Sequence, residues 1–78
     1  MSHRTPEEIT LKITSFLRDL RVKQGISQNQ LSQLAGISRT GLGHIESGNA
    51  LPSFANVLRI SNALGISIEE LMRLVESK

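Results

Sequence analysis

The chain has 78 residues, a formal net charge of +2 and no cysteine, so it makes one domain without a disulfide or a thiolate zinc site. With only two histidines, His3 and His44, neither a metal site nor another cofactor is expected. No apolar run approaches the roughly 20 residues of a membrane span, and the N-terminus lacks a secretory signal. We therefore expect a cytoplasmic protein that does not act at a membrane.

The N-terminal part predicts a short tail followed by a long helix. Residues 1–5 are expected to be flexible. Thr5 is placed to cap the first helix, with Pro6 at its first position and Glu8 completing a capping box. The helix should end just before Gly25, because apolar residues recur at three- and four-residue spacing until then. These are Ile9, Ile13, Phe16, Leu17 and Leu20.

The phrase Gly-Ile-Ser occurs at 25–27, 36–38 and 65–67. In each copy the glycine suits a left-handed helix end, and the serine suits the N-cap of the next helix. The isoleucine can pack on the fifth residue beyond it, a hydrophobic staple across the helix start. The partners would be Leu31, Leu42 and Leu71, all apolar as required. The phrase therefore predicts three helix boundaries.

Residues 27–48 predict two short helices joined by a tight turn. Ser27 caps the first helix, with Gln30 completing a capping box. Ser38 caps the second helix, which should run until Gly48 stops it. Two helices joined in this way are typical of a helix-turn-helix, which places one helix in a DNA groove.

The C-terminal part predicts two further helices and no strand. A loop leads to Pro52, and Ser53 caps a fourth helix that turns four apolar residues inward: Phe54, Val57, Leu58 and Leu64. Ser67 caps the fifth helix, with Glu70 as its capping-box partner. The chain is therefore expected to be all-α with five helices.

The fifth helix carries more apolar surface than a lone domain needs. Ile68 and Leu71 are expected in the core. Met72, Leu74 and Val75 are expected to form a second, exposed stripe, which usually marks an interface. We therefore predict a homodimer that uses this stripe, the alternative being a longer core stripe in a monomer.

Several of these segments together resemble the phage-repressor/Cro-type (Xre-like) helix-turn-helix regulators. The matching residues are Arg21, S-Q-x-x-L at 27–31, A-G-I-S-R-T at 35–40, I-E-S-G at 45–48, Pro52 and N-A-L-G-I-S at 62–67. Size and pattern are similar to small stand-alone members, including the controller proteins of restriction–modification systems. The resemblance implies a compact, five-helix lambda-repressor-like DNA-binding domain over residues 6–78.

The resemblance assigns base reading to Arg39, Thr40 and His44. Arg39 can donate two hydrogen bonds to guanine O6 and N7, and the Thr40 methyl can meet a thymine methyl. His44 lies four residues beyond Thr40 on the same helix face, where it can reach a base or a phosphate. The alternatives are a solvated surface arginine and a surface histidine just outside the groove.

A second set of polar residues is expected to bind DNA phosphates. Gln28 begins the first motif helix, where its side chain and backbone N–H can face a phosphate, and relatives use a glutamine here in that way. Further candidates are Ser38, Ser47, Asn49 and Ser53. Plain helix capping or loop solvation explains these last four equally well.

One ion pair and two glycines affect how the second motif helix is placed. By resemblance, Arg21 and Glu46 form an ion pair between the first helix and the end of this helix, and its value is orientation more than stability. Gly41 and Gly43 lie inside the helix, and relatives usually carry a larger residue at the Gly41 position. Either bare backbone lets the helix approach the duplex closely, or the site merely tolerates the glycines.

These features predict a sequence-specific DNA-binding transcriptional regulator. Residues 1–43 carry six basic and three acidic side chains, so the reading helix lies in the more positive half. We expect a homodimer on a pseudo-palindromic operator, acting as a repressor rather than as an activator that touches RNA polymerase. The acidic surface typical of activators in this family is replaced by Asn29, Gln30 and Gln33.

An antitoxin-type module and an enzyme are the alternatives to this prediction. An antitoxin-type interaction module with secondary DNA binding would need an extra segment for its partner. An enzyme is not expected, because no nucleophile, acid–base pair or glycine-rich phosphate loop can be assembled. A small-molecule ligand is not expected either, because there is no ligand-binding domain.

Overall fold

A computed structural model describes residues 4–77, which form five helices and no strand. The helices are α1 (Pro6–Lys23), α2 (Gln28–Ala35), α3 (Arg39–Ser47), α4 (Phe54–Ala63) and α5 (Ile68–Glu76). The all-α, five-helix prediction is therefore confirmed. Most of the predicted flexible tail, residues 1–3, lies outside the described residues, and so does Lys78. Within 4–77 no helix is long and apolar enough to cross a membrane.

A hydroxyl side chain caps each of the five helices. The oxygens of Thr5, Ser27, Ser38, Ser53 and Ser67 each accept the backbone N–H three residues on, at 2.9–3.1 Å. Reciprocal capping boxes close at α1 and α2. The prediction of a capping box at α5 is wrong, because the Glu70 carboxylate accepts a hydrogen bond from Arg73 and not from the Ser67 N–H. The caps fix where each helix starts.

The three Gly-Ile-Ser junctions have one common geometry. Gly25, Gly36 and Gly65 have φ values of 72°, 73° and 77°, in the left-handed region that favours glycine. The N–H of each following isoleucine then bonds back to a carbonyl five residues earlier, at 3.0–3.1 Å. This is the Schellman arrangement, which satisfies carbonyls at the helix end. The predicted boundaries are confirmed at all three junctions.

A single apolar core joins the five helices. α2 packs against α3 and α4, while α1 packs against α3, α4 and α5. Leu31, Leu42 and Leu71 are at most 1% exposed, and the junction isoleucines lie against the same core. The other buried apolar residues are Ile13, Leu17, Ala35, Ile45, Val57, Ile60, Leu64 and Val75. Both motif helices therefore pack against one common core.

Two apolar residues lie where the sequence did not place them. Phe54, expected to face inward, is 69% exposed, because it is the first residue of α4 and precedes the inward face that Val57 and Ile60 form. Val75, expected on an exposed stripe, is only 2% exposed. It follows Ile68 and Leu71 at helical spacing and so shares their core-facing side.

Candidate nucleic-acid interface

One face of α3 is buried and the opposite face is open. Leu42 and Ile45 are 1% and 7% exposed and anchor the helix in the core. Arg39, Thr40 and His44, the predicted base readers, are all exposed. The first two occupy the first turn of α3, directly after the Ser38 cap. The first turn of α3 therefore presents a cation and a hydroxyl with its methyl group to solvent, and the last turn presents the imidazole of His44.

The two glycines of α3 differ in their surroundings. Neither has a positive φ, so both are ordinary helical residues. A Cβ at Gly41 would lie 2.9 Å from the capping Oγ of Ser38. A Cβ at Gly43 would meet nothing closer than Gln28 Oε1, at 4.0 Å. The backbone geometry thus requires a glycine at neither position, while the helix cap favours one at Gly41.

A buried ion pair ties α3 to α1. Arg21 Nε and Nη2 donate to the two carboxylate oxygens of Glu46 at 2.8 and 3.0 Å. Arg21 Nη1 donates to the carbonyl of Ile26 at 2.6 Å, in the junction before α2. The side chains of Arg21 and Glu46 are 12% and 5% exposed. The pair expected from the resemblance is therefore present, and one guanidinium joins three segments.

Gln28, a predicted phosphate ligand, is part of the same network. Its Nε2 donates to Glu46 Oε1 at 2.9 Å, so this carboxylate oxygen serves both Gln28 and Arg21. One of the two amide protons of Gln28 is thus committed inside the protein. The sequence did not reveal this contact, although a buried carboxylate near the start of α2 is a reason to look for further donors.

The other predicted phosphate ligands are engaged to different degrees. Ser38 and Ser53 accept backbone N–H groups at 2.9 and 3.1 Å, which leaves their own protons free to donate. Ser47 donates to the carbonyl of His44 at 3.2 Å, so its proton is used within the helix. The backbone N–H of Asn49 bonds the same carbonyl at 2.9 Å, and the residue is exposed. Ser38, Asn49 and Ser53 are the better placed of the four.

The predicted dimer residues lie on α5. Met72 and Leu74 are half-buried, and Val75 belongs to the core. Larger apolar exposure occurs elsewhere, and part of it is at the end of α3. Leu51 and Phe54 are 50% and 69% exposed in and after the loop that leaves α3. Sequence periodicity missed this surface, because it falls in a loop and at a helix start.

These features define a class of protein. Two short helices joined through a left-handed glycine, with the N-terminal end of the second open and its other face anchored, make a helix-turn-helix DNA-binding protein. A family model described as Helix-turn-helix matches residues 17–71. The chain therefore belongs to the helix-turn-helix family, in the Xre-like group that the sequence resembles.

Known proteins show the same relationship. The chain is similar to the restriction-modification controller protein C.AhdI from Aeromonas hydrophila, with a TM-score of 0.73 and 36% identity, covering 82% of this chain and 96% of that one. It is 39% identical over 61 residues to the cryptic phage CTXphi transcriptional repressor RstR of Vibrio cholerae, covering 78% of this chain and 54% of RstR. It is 35% identical over 57 residues to the SPbeta prophage-derived HTH-type transcriptional regulator YonR of Bacillus subtilis, covering 73% of this chain and 53% of YonR. The chain thus spans about half the length of these two relatives.

Proposed function

We propose that this protein is a sequence-specific DNA-binding transcriptional regulator that reads the major groove with α3. The observation that carries the proposal is the open N-terminal end of α3, with Arg39 and Thr40 exposed in its first turn. The helix is held by its apolar face and by the Arg21–Glu46 pair. A rigidly held helix end with a cation at its tip matches the docking geometry of this class.

The exposed side chains suit different parts of a duplex. Arg39 can pair with guanine O6 and N7, and the Thr40 methyl can contact a thymine methyl. His44, one turn further along, can reach a base or a phosphate. The free protons of Ser38 and Ser53 can be donated to phosphates, which fix the register of the helix without reading sequence.

The protein would bind a pseudo-palindromic operator as a homodimer, with two α3 helices roughly 34 Å apart, one turn of DNA. Of the interface predicted on α5, Met72 and Leu74 remain available. An alternative contact surface lies where α3 ends, where Leu51 and Phe54 are exposed. The exposed Leu11 lies beside it, with its Cδ2 3.7 Å from where a Cβ at Gly48 would stand. Exposed apolar groups of this kind mark interfaces.

Sedimentation distinguishes the two dimer surfaces. Dissociation by Leu74→Glu but not by Phe54→Glu assigns the contact to α5, and the reverse result assigns it to the end of α3. Circular dichroism checks that both variants stay folded. A wild-type protein that is monomeric at tens of micromolar, with and without operator DNA, removes the homodimer from the proposal.

Repression is the favoured mode of regulation. The relative RstR is described as a transcriptional repressor. The exposed residues of α2 include Asn29, Gln30 and Gln33, which carry no charge, so α2 lacks an acidic surface for RNA polymerase. A dimer on an operator would then act by blocking access of polymerase to the promoter.

The test is selection of bound sequences from a random DNA pool at two salt concentrations. We expect a consensus of two half-sites, and an affinity that falls steeply with salt because phosphate contacts release counterions. An absence of enrichment over the starting pool would contradict sequence-specific binding. Enrichment of a single half-site would keep DNA reading and remove the pseudo-palindrome.

A further inference from the structure

The network around Glu46 fixes the orientation of the Gln28 amide. A carboxylate only accepts hydrogen bonds, so the group of Gln28 that faces Glu46 must be the donor, Nε2. The observed contact, Nε2 to Glu46 Oε1 at 2.9 Å, obeys this rule. Arg21 holds the carboxylate by both oxygens. The amide of Gln28 therefore cannot turn over without placing an oxygen against an ionised acceptor.

The carbonyl oxygen of Gln28 consequently lies on the side of α3. Gln28 Oε1 is 4.0 Å from where a Cβ at Gly43 would stand. It has no protein hydrogen-bond partner within residues 4–77, and that part of the chain contains no buried side-chain oxygen without a partner. Oε1 is therefore not fully buried, and it lies beside Gly43, which has no side chain.

We propose that Gln28 is a specificity-determining residue: its Oε1, oriented by Glu46, accepts a hydrogen bond from the exocyclic amino group of an adenine or a cytosine in the major groove. This inference rests on the proposed DNA-binding function. It assigns to Gln28, on α2, the base contact that Gly43 cannot make from α3.

The polarity of the Gln28 amide favours a base over a phosphate. A phosphate offers only acceptor oxygens and would need donors, and Glu46 takes one of the two Nε2 protons of Gln28, which leaves one side-chain proton for such a contact. The group left open beside Gly43 is an acceptor, and the major-groove donors of DNA are the amino groups of adenine and cytosine. The network therefore presents Gln28 in the orientation that suits a base edge.

The first experiment repeats the selection of bound sequences with Gln28→Met, which keeps the side-chain length and removes the amide. Gln33→Met, an exposed glutamine of the same helix, is the matched control. We expect Gln28→Met to lose the preference for adenine or cytosine at one position of each half-site, with the rest of the consensus retained. Gln33→Met should keep the full consensus.

The second experiment tests the polarity directly. At the position identified by selection, the base is replaced by an analogue that lacks the amino group, and affinities are measured for both proteins. The wild type should lose about three- to tenfold, the range of one hydrogen bond. Gln28→Met should lose nothing further, because the acceptor is already absent.

Several outcomes would overturn the inference. Equal weakening of Gln28→Met on every sequence would show that Gln28 acts through a phosphate or through its bond to Glu46 and reads no base. An unchanged consensus and affinity would show a solvated side chain. An equal loss for both proteins on the amino-free base would show that another residue reads it. Failure of the proposed function is distinct from these, since the wild type itself would then enrich no sequence.

Discussion

Replacing Gly43 by alanine should stabilise the protein. Gly43 lies in the interior of α3 without a positive φ, and a Cβ there meets nothing closer than Gln28 Oε1 at 4.0 Å. Alanine favours a helix interior over glycine by about 1 kcal/mol. With little contact change to offset this gain, the melting temperature of a domain of this size should rise by roughly 4–8 °C.

Gly41→Ala is the matched control in the same helix. Its Cβ would lie 2.9 Å from Ser38 Oγ, the atom that accepts the N–H of Gly41 itself. Displacing this oxygen weakens a cap worth about 1 kcal/mol. The gain in helix propensity and the loss in capping should nearly cancel, so that the melting temperature changes little.

Thermal unfolding followed by circular dichroism, at one fixed protein concentration, measures both variants. A lower melting temperature for Gly43→Ala, or an equal rise for both variants, would refute this reasoning. Operator affinity of Gly43→Ala is the second readout. Unchanged affinity in a stabilised protein means that α3 merely tolerates the glycine, while a large loss means that bare backbone is needed close to the duplex.

Three other substitutions test the ion pair, the helix cap and the core that hold α3 in place. Arg21→Ala leaves Glu46 buried without its ionic partner, so the free energy of unfolding, measured with denaturant, should fall by about 3–5 kcal/mol. Operator affinity should fall as well, and an unchanged fold and affinity would count against the orienting role of the pair. Ser38→Ala removes the oxygen that accepts the Gly41 N–H and should cost about 1 kcal/mol, and equal stability would mean that water replaces the cap. Leu71→Ala, at a position that is 0% exposed, should cost about 2–5 kcal/mol through lost burial and a cavity, and a loss below about 1 kcal/mol would mean that the core collapses around it.

The helix boundaries follow from local chemistry, which explains why the sequence predicts them well. A capping hydroxyl and the N–H that it accepts are three residues apart. The N–H of the isoleucine after each left-handed glycine bonds a carbonyl five residues earlier. The three Gly-Ile-Ser phrases contain both signals. Each interaction is complete within one short segment, so no tertiary information is needed.

Longer-range features are harder to derive from the chain alone. Arg21 and Glu46 are 25 residues apart, and only the family resemblance paired them. The bond from Gln28 to Glu46 spans 18 residues and was not predicted at all. Spacing alone also misplaced Phe54 and Val75, because an apolar residue at helical spacing can lie on either side of a stripe until its neighbours are known.

Arg39 is expected to read a base from the first turn of α3. The most direct measurement compares wild type and Arg39→Ala on the selected operator and on the same operator with one guanine per half-site replaced. Wild type should discriminate between the two DNAs by about 1–3 kcal/mol per half-site, the value of a bidentate arginine–guanine pair. The variant should bind both equally. Equal weakening on every sequence, with the guanine preference intact, would contradict the account.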